Sequence, residues 1–106
     1  MSRRNRHAHD AKCRILLQAT ADRLDRLRSQ VERFGLEGHE GMSRDELERT
    51  LDALRGQHNR LSARVEAARI ATDDAWTFAR AIADQAAAEL ADGLDGMEAR
   101  LKRVAA

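Results

Sequence analysis

His7, His9 and Cys13 are the residues of this 106-residue chain whose types and spacing come nearest to reactive or metal-ligating chemistry. On a helix, His9 and Cys13 stand four positions apart on one face, where an imidazole and a thiolate could both hold zinc. A closed structural zinc site takes four ligands. The chain has one cysteine, no CxxC pair and no second paired histidine. The spacing therefore predicts an ordinary thiol and no metal, and only a multimer could complete the set. His39 and Glu40 make a weaker pair still. Gly35, Gly38 and Gly41 form a GxxGxxG pattern that differs from the dinucleotide GxGxxG and follows a helix instead of a strand. It also carries Glu37 and Glu40, which would repel phosphates, so it reads as a loop. No GxxxxGK[ST], HExxH or GxSxG motif occurs. The expectation is no catalytic residue, no cofactor, no small-molecule substrate and no enzyme.

The basic residues offer a second chemistry. Arg3, Arg4, Arg6, Lys12 and Arg14 put five cations against one acid, Asp10, in the first fourteen positions. Such an arm could neutralise phosphates without reading sequence. Residues 72–96 hold one basic and six acidic residues, so a net charge of +1 hides a basic head and an acidic third quarter. That acidic segment would repel a duplex, and no recognition helix or stacking aromatics accompany the arm. Nucleic-acid binding through the arm is thus the alternative function and not the leading one.

These residues must be positioned by helices. Proline is absent, and Ala, Leu, Arg and Glu dominate a sequence that is 42% hydrophobic and 35% charged. Helix is favoured everywhere except the three glycines of residues 35–41. Ser43 is an N-cap, Glu46 completes a capping box, and Met42 with Leu47 forms a hydrophobic staple. Cys13, Leu17, Thr20, Leu24, Leu27, Val31 and Phe34 alternate by four and three, a seam for packing on another helix. The same alternation runs through Leu47, Leu51, Leu54, His58, Leu61, Val65 and Ala68 and onward to Thr72, Ala75, Ala79, Ile82 and Ala86. His58 in that seam is a register-setting or rim residue. Steps of four and four through Leu90 and Leu94, beside Gly93 and Gly96, predict a break there.

The organisation expected is a flexible basic arm at 1–9 and one helical domain at 10–106. Its helices span about 10–34 and 43–92, with a loop at 35–42 and a short last helix at 95–104. A helix over 43–92 would be about 75 Å long and would outrun the first helix, so half of it would need a second copy of the chain. The competing solution ends a helix at Thr72, uses Asp73 and Asp74 to start a third, and closes a three-helix bundle. The unbroken seam and the lack of Gly, Asn or Pro favour the continuous helix. The fold class is therefore all-α: an antiparallel coiled-coil-like hairpin completed by self-association.

Trp76, Phe78 and Ile70 fall off that seam and widen the apolar face of the second helix, either as the third face of a bundle core or as a partner-binding stripe. With Ile82 and the charged Asp73 and Asp74, they form the expected protein interface. No apolar run approaches the roughly 18 residues of a membrane span, and the start of the chain lacks the apolar core of a secretory signal. Together with a single thiol, this points to the cytoplasm. The function expected is a non-enzymatic scaffold or adaptor that forms a homo-oligomer or joins a larger protein assembly.

Overall fold

Ser43 starts a helix as its position predicts: it sits in extended backbone (φ −100°, ψ 154°) and its hydroxyl accepts a 3.1 Å hydrogen bond from the Glu46 amide. The computed structural model describes residues 3–34 and 43–105, with side chains up to residue 103. All of its regular structure is helical: α1 (Arg3–Glu32), α2 (Arg44–Ile70) and α3 (Asp73–Ala105). The loop expected at 35–42, with its glycines, His39, Glu40 and Met42 of the staple, lies outside the described residues.

The expected helix over 43–92 is not what forms. α2 stops at Ile70, Ala71 turns out into extended backbone (φ −63°, ψ 146°), and α3 begins at Asp73. The second expected break is also absent, since α3 passes through Gly93 and Gly96 without interruption and no separate helix starts at 95. Both corrections have one cause. The two-residue interruption rephases the helix, so α3 buries Trp76, Ala83, Leu90, Leu94, Met97 and Leu101 in place of the Ala75, Ala79, Ile82 stripe. In this register the leucines of the last turns follow in phase, and the apparent stutter disappears. The flexible arm is corrected as well, because residues 3–9 are the opening turns of α1.

The first two seams are where the spacing places them. Cys13, Thr20, Leu24, Leu27 and Val31 of α1, and Leu47, Leu51, Leu54, Leu61, Val65 and Ala68 of α2, are all buried. Residues of all three helices share one core cluster. Leu17 and His58 lie level, as do Arg6 and Ala71, so α1 and α2 are antiparallel; Arg23 meets Asp95 and Glu98, which sets α3 parallel to α1. The molecule measures 54 × 17 × 16 Å, close to the roughly 50 Å of a 33-residue helix.

The three interfaces are unequal. α2 packs most extensively on α3, less on α1, and α1 touches α3 least. Small residues explain the first: a Cβ at Gly93 would lie 2.6 Å from Leu54 Cδ2 and 3.2 Å from Gln57 Oε1, so the missing side chain is what lets α2 close on α3. Gly96 has nothing within 4 Å of the same position. The two glycines should therefore respond differently to alanine. Gly96→Ala is expected to stabilise by about 0.5–1 kcal/mol from helix propensity. Gly93→Ala should fall below Gly96→Ala by about 1–3 kcal/mol, because the buried Leu54 must move; midpoints of urea unfolding read the order.

Candidate functional site: the Arg6, His9 and Trp76 corner

Ending a helix at Ile70 leaves carbonyls of its last turn without intrahelical donors. Arg6, reaching across from the second turn of α1, supplies them. Its Nη2 donates to the carbonyls of Ala71 at 2.6 Å, Arg69 at 3.3 Å and Ala68 at 3.4 Å, while Nη1 pairs with Asp73 Oδ1 at 2.9 Å. One guanidinium thus caps α2 at its carbonyl end, where a cation is favoured, and holds the first residue of α3. Asp73 and Asp74 occupy the first turn of α3, where carboxylates suit the helix N-terminus.

Against this corner, α3 buries Trp76, which is 3% exposed. Its ring meets His9 edge-on at 5.9 Å between centroids, and the guanidinium carbons of Arg6 and Arg80 stand 5.8 and 5.3 Å from its centre. Trp76 is therefore core, not the interface residue its place in the sequence suggested. His9 is buried too, and its Nε2 pairs with Asp84 Oδ1 at 3.0 Å. Arg80 lies 3.7 Å from the other oxygen of Asp84. Asp84 and Arg80 were invisible in the sequence, since no local spacing ties them to His9.

Cys13, His9 and Asp84 have the residue types of a thiol nucleophile, its base and an orienting carboxylate. Their geometry works against that use. The sulfur sits 3.7 and 3.6 Å from the two ring nitrogens, so it is aimed at neither, and Nε2 is already committed to Asp84. Burial pushes the Cys13 thiol above its ordinary value, and the negative charges of Asp84 and Asp10 push it further. Since the thiolate is the reactive form, this is a packed thiol and not an activated one. Among the described residues no group of three or more His, Cys, Asp or Glu side chains could hold a metal ion.

Further along the α1/α3 seam, Arg23 reaches Glu98 through Nε at 3.1 Å and Asp95 through Nη2 at 2.7 Å. The Glu98 hydrogen bond, with the Asp95 bond and both charges, holds the guanidinium above its usual range. His58 is half-buried, with Nε2 donating to the Leu17 carbonyl at 3.1 Å, a seam position satisfied by backbone.

The other anticipated site residues scatter. Of the basic set, Arg6 is spent on the corner and Arg14 pairs with Asp10 at 3.2 Å, while Arg3, Arg4 and Lys12 are exposed. Of the anticipated interface, Asp73 is tied to Arg6, Asp74 is exposed, Ile82 is half-buried, and Ile70 and Phe78 are 67% and 71% exposed. Ile15 on α1, which the periodicity did not single out, is a third exposed large apolar residue, at 73%. No helix among the described residues is long and apolar enough to cross a membrane. Comparison with known proteins yields no matching family model, no similar curated sequence and no similar solved structure.

Two outcomes test the corner. Arg6→Ala should destabilise by about 1–2 kcal/mol, because two part-buried carbonyls lose a charged donor, and Arg6→Lys should recover only part of it, lacking the fork. Thermal unfolding reads both. Because the folded-state value of Cys13 is raised, its contribution is complete below the ordinary value near 9.0 and is lost as pH rises from there through the folded value. Stability should therefore fall above about pH 9, less so in Cys13→Ala.

Proposed function

We infer that the chain is a non-enzymatic helical scaffold or adaptor that acts by protein–protein assembly and associates with copies of itself. One observation carries this reading: Arg6, His9 and Cys13 are spent inside the bundle, whereas Ile70 and Phe78, on either side of the Ala71–Thr72 interruption, stay in solvent. Exposed aromatic and aliphatic side chains beside small residues are what interfaces use, and Ala75, Ala79 and the half-buried Ile82 lie on the adjoining turns of α3. Closure of the three-helix core also changes the manner of association. The half-helix that would have needed a second copy is already covered, chiefly by α2 folding back on it and less by α1, so copies would dock as folded units through the outer surface of α2 and α3.

Light scattering coupled to size exclusion across a concentration series tests this. The parent protein should form a dimer or larger species, and Phe78→Glu should shift it to monomer with unchanged helicity. A parent protein that is monomeric at high concentration overturns self-association, and a Phe78→Glu variant with undiminished mass overturns the placement of the surface.

A further inference from the structure

The seam between α1 and α3, the narrowest of the three interfaces, opens beyond the Arg23 bridge into a groove of about 780 Å³. Its floor is apolar: Leu27 and Leu101 are buried there and Phe34 is half-buried. Its rim is cationic: Arg26 and Arg33 stand on the α1 side and Lys102 on the α3 side, all exposed. The two carboxylates of the groove, Asp95 and Glu98, share one cation, Arg23, which offsets one of their two charges. No described carboxylate pairs with Arg26, Arg33 or Lys102, and with Arg23 the described groove carries four cations against two carboxylates, so its apolar floor is framed by net positive charge.

We propose that this groove docks an acidic amphipathic helix of a partner protein. Residues 26–34, the end of α1 and the turn after it, and 95–102 of α3 border about 12 Å of groove, two helical turns, enough for apolar side chains at i, i+3 or i+4, and i+7. Glutamates or aspartates flanking that stripe would meet Arg26 and Arg33 on one wall and Lys102 on the other. The docked segment becomes the fourth helix of a bundle in the position that α1 and α3 leave thinly covered. The groove is lined by none of Ile70, Phe78 and Ile82. It therefore stands or falls separately from self-association, though both belong to the adaptor reading.

The probe is a fluorescein-labelled helical peptide of about four turns with a leucine stripe and glutamate flanks. Matched peptides carry lysine in place of glutamate, or serine in place of leucine. Saturable anisotropy with the glutamate peptide alone is expected. Binding should weaken about fivefold in each of Arg26→Glu and Lys102→Glu, the size of a rim charge pair, and the lysine peptide should bind the double variant instead. Amide shifts in ¹⁵N-labelled protein should cluster at Leu27, Phe34 and Leu101. Lack of saturation with the glutamate peptide, equal binding of the serine peptide, or shifts centred on Phe78 would each overturn the groove. Displacement of the peptide by duplex DNA at low salt would assign the same cations to nucleic acid and overturn it too. Both substitutions are at exposed positions, so circular dichroism is expected to show full helicity, and binding loss reads the groove itself.

Discussion

Everything in this molecule depends on stopping a helix at Ile70 with neither glycine nor proline to stop it. A chain rich in alanine, leucine and arginine prefers to continue, and breaking it exposes polar backbone. Arg6 meets that cost from across the bundle: its fork takes three carbonyls and the first carboxylate of α3, an arrangement that a lysine could not reproduce. The consequence spreads along the whole of α3. Once the helix restarts at Asp73, its phase is set so that Trp76 faces inward, and Leu90, Leu94, Met97 and Leu101 follow it into the core.

The bundle is held in two physically different ways. α2 and α3 meet through small side chains and dispersion, with Gly93 opening the closest approach. α1 and α3 are bridged by polar side chains: the ion pairs of Arg6 with Asp73 and of Arg23 with Asp95 and Glu98, and the hydrogen bond between His9 and Asp84. The charged contacts leave more space between the axes, and the groove beside Arg23 is that space. Of the basic head one cation, Arg6, meets the acidic third quarter, at Asp73, while Arg23 further along α1 meets Asp95 of that segment and Glu98 just beyond it.

Local signals were legible and tertiary ones were not. Ser43 and the seams of α1 and α2 could be read because capping and heptad spacing are written within a few residues of one another. The interruption after Ile70 is only half recorded locally: Thr72, Asp73 and Asp74 can start a helix, but what stabilises the stop before them is Arg6, more than sixty positions away. The phase of α3, the false break at Gly93 and the grouping of Trp76 with the interface residues all follow from that one point. Arg6 itself looked like part of a phosphate-binding arm, since an arginine near a chain end carries no mark of whether it meets a nucleic acid or a helix C-terminus. Asp84 and Arg23 could not be anticipated at all, as each lies beside a seam and not in it.

The position of Trp76 gives the protein an optical property. With one tryptophan and no tyrosine in the chain, near-ultraviolet emission beyond the weak phenylalanine band arises from a single indole, enclosed by His9, Arg6 and Arg80 at the junction of all three helices. Burial of the ring keeps water from it while the junction is closed, so that emission should move to the red when α1 lifts away and water reaches the indole. The state of the one contact that fixes the architecture can thus be followed in the unlabelled protein, by colour alone.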